Sequence, residues 1–72
     1  MEEDVEVEFY LNNIMLAEIV IKRSWINTKK EIKMKMETLN KLVEKNMVSE
    51  SDKYGVSIVT TYGESVYDLE GY

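Results

Sequence analysis

Val5-Glu6-Val7-Glu8-Phe9-Tyr10-Leu11, then Asn12-Asn13, then Ile14-Met15-Leu16-Ala17-Glu18-Ile19-Val20-Ile21-Lys22, is the stretch that decides the fold. The first run alternates apolar and polar residues, the period of a half-buried strand. The second is apolar on nearly both faces. Between them, Asn-Asn tolerates the positive φ of a tight hairpin turn better than most residue pairs. A two-residue turn expects Phe9 beside Leu16, Val5 beside Val20, Glu3 against Lys22 and Glu2 against Arg23. Opposite charges meeting across the open end favour that register, at ~0.2–1 kcal/mol for each pair. It leaves Val7 facing Glu18. A three-residue loop would instead set Glu18 among Glu6 and Glu8, a less favourable grouping of like charge.

Downstream, Thr28-Lys29-Lys30-Glu31 reads as a capping box opening a helix over about 29–46. Ile32, Met36, Leu39, Val43 and Met47 recur at three- and four-residue spacing as one apolar stripe. Glu31–Lys35 and Glu37–Lys41 are favourable i,i+4 pairs. After the polar loop Ser49-Glu50-Ser51-Asp52, the β-branched and aromatic run 54–62 predicts a third strand. Gly63-Glu64-Ser65 is a turn, and 66–69 is a short fourth strand or an ordered tail. The expected fold is α+β in the order β-β-α-β-(β), with one helix on a small, mainly antiparallel sheet in a single domain, 1–72. It is β-grasp-like if the last segments pair beside the first strand.

With 72 residues, such a chain buries only about 60% of its unfolded surface. Its core supplies no more than ~3–5 kcal/mol. Cys 0 and His 0 exclude a disulfide and a zinc finger as the staple. Self-association or docking on a partner is the staple left. Hydrophobic content of 44% with 32% charged residues is a globular balance. No run reaches the ~18 apolar residues of a membrane span, because Glu18 interrupts Ile14–Ile21 and Lys22-Arg23 stops it. Met1-Glu2-Glu3-Asp4 is the opposite of a targeting peptide, so a cytoplasmic protein is expected. Richness in Lys, Ile, Asn, Met and Tyr suits an AT-rich source such as a virus or mobile element, with the host cytoplasm as compartment.

The net charge of −5 is unevenly spread. Acids dominate before Ile21, bases dominate from Ile21 to Lys45, and acids return in Asn46–Tyr72.

Catalytic chemistry finds little to work with. Without His or Cys the usual nucleophile–base pairs cannot form. Glu6 and Glu8 project from one strand face and read as a solvated surface rather than a catalytic dyad. Glu2-Glu3-Asp4 lacks calcium-loop spacing, and Gly55, Gly63 and Gly71 are too isolated to cradle phosphate. The expectation is a protein that is not an enzyme and uses no cofactor or metal.

Three surfaces compete for a binding role. Lys29 and Lys30 occupy a first helical turn, where anionic side chains are preferred. With Lys22, Arg23 and Lys33 they are candidates for an anion site, and Trp25 for a stacking platform. Against this, Glu2, Glu3 and Asp4 can neutralise Lys22 and Arg23 internally, and Trp25 can simply cap the core. Nucleic acid is the less favoured partner, because Glu37 and Glu44 interleave the helix bases. The second surface is acidic: Glu6 and Glu8, with Glu64, Asp68 and Glu70, can occupy a basic cleft. The bland reading of those acids is solubility. The third is apolar: Met15, Ala17, Ile19 and Ile21, flanked by Tyr10, form a row that one helix cannot cover, unless Tyr67, Leu69 and Tyr72 fold back over it.

The expected function is therefore that of a small acidic protein-binding domain, an inhibitor or adaptor that occupies a partner surface through Glu6, Glu8, Tyr10 and the apolar row. The alternatives are a phosphate or nucleic-acid binder through the basic cluster, and a self-associating subunit, most simply a homodimer.

Overall fold

Residues 3–60 and the backbone of 66–67 are described by the structure, a computed structural model. Strands β1 (Asp4–Leu11) and β2 (Ile14–Lys22) form the expected hairpin. Asn12 and Asn13 take φ of 52° and 66°, the two positive values that match the right-handed twist of paired strands. A 3-10 turn at Arg23–Trp25 leads into helix α1 (Lys29–Glu44). A second 3-10 turn at Asp52–Gly55 leads into β3 (Ser57–Thr60), and β4 is the short pair Val66–Tyr67. The strand order is β2-β1-β3-β4, antiparallel throughout. The α+β architecture thus stands, whereas the β-grasp resemblance is not established: β3 lies beside β1, but antiparallel to it. The third strand is shorter than the run 54–62 suggested. Tyr54 and Gly55 belong to the 3-10 turn, and 61–62 lie outside the described residues.

The hairpin register departs from the expected one at a β-bulge. Next to the turn, Tyr10 pairs with Met15 and Leu11 with Ile14, as a two-residue turn requires. Leu16 is then the extra residue, and beyond it Phe9 faces Ala17, Val7 faces Ile19 and Val5 faces Ile21. The gain explains the bulge. Uninterrupted pairing would press Glu18 against Val7. Shifting by one residue puts an apolar partner opposite each of Val5, Val7 and Phe9, all fully buried. Because side chains alternate with period two, the slip moves every later residue of β2 to the other face. At the open end Asp4, not Glu3, meets Lys22, with Nζ–Oδ1 at 3.3 Å. The Arg23 amide donates to the Glu3 carbonyl, and the expected partner Glu2 lies outside the described residues.

The core lies between the sheet and α1: Val5, Val7, Phe9, Ile21 and Ile58 from the strands, Leu39 and Leu42 from the helix, and Val48 and Val56 from the connection. The helix is rotated from the expected stripe. Leu39 is buried, but its companions are Glu31, Lys35 and Leu42; Ile32, Met36 and Val43 are half-buried and Met47 is exposed. The capping box is also only half made. Glu31 Oε1 accepts the Asn27 amide at 3.0 Å, while the Thr28 hydroxyl donates to the Trp25 carbonyl instead of capping the helix. At the other end, the Met47 amide donates to the Leu42 carbonyl and that of Asn46 to Val43. With Asn46 at φ 60°, this is the Schellman arrangement that stops a helix.

Lys53 ties the second 3-10 turn to the helix, its Nζ 2.7 Å from Glu50 Oε1 and 3.4 Å from Asn40 Oδ1. Among the described residues no helix is long and apolar enough to cross a membrane.

Candidate functional surfaces

One helix covers one face of the sheet. The register places Asp4, Glu6, Glu8 and Tyr10 of β1, Met15, Glu18, Val20 and Lys22 of β2, and Ser57 and Val59 of β3 on the other face. Met15 and Val20 are 51% and 54% exposed there. The bulge gathers the carboxylates. Glu8 pairs directly with Glu18, and Glu6 with Val20 next to it. Hydrogen bonding to Glu6 and the negative charge of Glu6 hold the Glu18 carboxyl above the ordinary range, with partial desolvation and Glu8 adding to the effect. The Tyr10 hydroxyl donates to Glu8 Oε1 at 3.0 Å. That bond, partial desolvation and the charges of Glu8 and Glu18 raise its pKa. The group is an acidic, aromatic-bordered surface. No set of three acidic side chains among the described residues is arranged to hold a metal ion.

The seven residues expected to form the contact surface are therefore divided. Glu6, Glu8, Tyr10 and Met15 share the face opposite α1, which no described residue covers. Ala17, Ile19 and Ile21 turn toward the helix after the bulge, with Ile21 only 2% exposed. They are core and groove residues, and the apolar row expected on the outer face is replaced by Met15, Glu18 and Val20. Glu18 meets Glu6 and Glu8 as the three-residue-loop register would set it, but behind a two-residue turn and a bulge, and Val20 turns outward with it. The signal available was Val7 facing Glu18 in the unbulged register. The tail acids Glu64, Asp68 and Glu70, and the side chains of Tyr67, Leu69 and Tyr72, lie outside the described residues.

On the helix side, β2 and α1 enclose an open groove of about 240 Å³. Leu16, Ala17 and Ile19 form its floor, Met34, Leu42 and Met47 part of its wall, and Glu37, Lys41 and Lys45 its polar rim.

The basic cluster is not assembled as one site. Lys22 is paired with Asp4 on the outer sheet face. Arg23 lies in the 3-10 turn, and Lys29 is exposed on the first turn of α1. Lys30 Nζ sits 5.6 Å from the centre of the Trp25 ring, a cation–π distance. Lys30 and Lys33 line a small hollow beside half-buried Trp25, which packs against the core. The positive end of the helix is occupied from within, since Glu31 is buried there and accepts the Asn27 amide. Comparison with family models, curated proteins and solved structures gave no match, so the roles of these surfaces are read from their own chemistry.

Proposed function

We propose that this chain is a small protein-binding domain that acts by occupying a basic surface of a partner, as an inhibitor or adaptor, and not by catalysis. The observation that carries this reading is the sheet face opposite α1, uncovered among the described residues, where Glu6, Glu8 and Glu18 crowd beside Tyr10 between exposed Met15 and Val20. Carboxylates held this close repel one another. A partner's lysine or arginine side chain converts the repulsion into attraction and speeds encounter. The flanking apolar side chains and the tyrosine provide the dry contact that fixes a complex once it has formed. The same charge placement disfavours nucleic acid on this face.

An anion-binding role for Lys22, Arg23, Lys29, Lys30 and Lys33 has weaker support. Lys22 already has a carboxylate partner, Lys30 lies over Trp25, and Glu31 fills the helix N-terminus. The test is affinity capture from native extract with the wild-type chain and with the Glu6→Lys/Glu8→Lys variant. The proposal expects a partner captured by the first and lost by the second. Equal capture by both removes the acidic face from the account. Retention on a nucleic-acid column that weakens steeply with salt would favour the basic cluster instead.

A further inference from the structure

We infer that the chain forms a two-fold homodimer by pairing β2 with β2 of a second copy, which extends the sheet and leaves the acidic outer faces open side by side. This goes beyond the partner proposed above, since it uses the strand's edge and not the sheet's face. β2 is an edge strand of the described sheet, which runs β2-β1-β3-β4. Among the described strands it is also the longest, Ile14–Lys22, and apolar apart from Glu18 and Lys22. Soluble proteins blunt such edges with proline, clustered charge, bulges or short strands. β2 has no proline, and its one bulge, at Leu16, lies near the turn and leaves Ala17–Lys22 regularly paired.

The second copy is the occupant that the charges select. In an antiparallel pair about a two-fold axis, opposed residues must lie on the same sheet face, so the axis falls on a residue of β2. An axis at Glu18 sets that carboxylate against its own copy. An axis at Ile19 sets it against Val20. An axis at Val20 sets Glu18 of each copy against Lys22 of the other, joins the two exposed Val20 side chains at the centre, and pairs Ile19 with Ile21 on the helix side. Glu18, crowded by Glu6, there gains a cation. Lys22, paired with Asp4 in a half-exposed contact, is free to bridge both acids.

Sedimentation equilibrium of the full chain tests this without any other partner. The wild type is expected to show a concentration-dependent dimer. Glu18→Lys alone places a second ammonium group opposite Lys22 at both symmetry-related contacts. Lys22→Glu alone places a second carboxylate opposite Glu18 at both. Each is therefore expected to weaken dimerisation by about tenfold or more. Mixed in equal amounts, the two variants set like charge aside and bring opposite charges together at both contacts, so they are expected to dimerise with each other. Circular dichroism verifies that each variant is folded. A wild type that is monomeric at ~1 mM chain, single variants that dimerise as it does, or a mixture that stays monomeric each overturns the inference. Loss of dimerisation would leave the acidic-face proposal untouched, because capture by that face is read separately.

Discussion

Glu18 stands directly opposite Glu8 in the β1–β2 ladder, like charge against like charge, and is held above its ordinary pKa first of all by Glu6. Its raised value means that the folded chain binds this proton more tightly than the unfolded chain does. At neutral pH both states are ionised, and the folded state carries the full repulsion. As pH falls through the raised value the folded state takes up the proton first, and the penalty fades. Glu18→Gln is therefore expected to melt at a higher temperature than wild type at neutral pH in dilute solution. The difference shrinks on acidification and is gone below the ordinary carboxylate range. Thermal melts followed by circular dichroism across that window check it; a variant no more stable than wild type at neutral pH contradicts it.

Glu31 and Lys35 are each 3% exposed, one turn apart on the buried side of α1, with Nζ 3.3 Å from Oε2. Oε2 accepts no hydrogen bond among the described residues. Removing one member of such a pair leaves a buried charge, a loss of about 3–5 kcal/mol. That matches the whole stability expected of so small a core. Lys35→Met is accordingly expected to be largely unfolded, and the double variant Glu31→Gln/Lys35→Met to refold much of the population. Burial lowers the Lys35 pKa despite the opposing pull of Glu31. In Glu31→Gln, which removes that pull, stability is thus expected to rise with pH as the amine becomes neutral. Urea titrations of the three variants decide this, and additive losses in the double variant would count against the pair.

Asn13 sits at φ 66° in the hairpin turn. A β-branched residue pays about 1–2 kcal/mol for that left-handed backbone. Asn13→Val should lower stability by that amount, while Asn13→Gly, the favoured second residue of this turn, should match or exceed wild type. Chemical denaturation of both is the measurement.

The hairpin, its Asn-Asn turn, the helix and the element order are legible in the sequence because each has a local cause: period two, left-handed tolerance, or three- and four-residue spacing. The bulge is not local. It follows from three side chains of β1 choosing Ala17, Ile19 and Ile21 over Leu16, Glu18 and Val20, and it decides which residues face outward. The same holds for the helix. Its apolar stripe is read correctly only at Leu39, because the contact with the sheet rotates Glu31 and Lys35 inward and Met47 out. Glu31 and Lys35 look like an ordinary exposed i,i+4 pair from spacing alone; only the packing shows that they are buried.

The most direct test of the central claim is an amide NMR titration of the labelled chain with the protein it captures. If the sheet face opposite α1 is the contact surface, the largest shifts fall on Glu6, Glu8, Tyr10, Glu18, Val20 and Val59, and α1 stays quiet. Shifts confined to Trp25, Lys29, Lys30 and Lys33, with the strands unchanged, would contradict it.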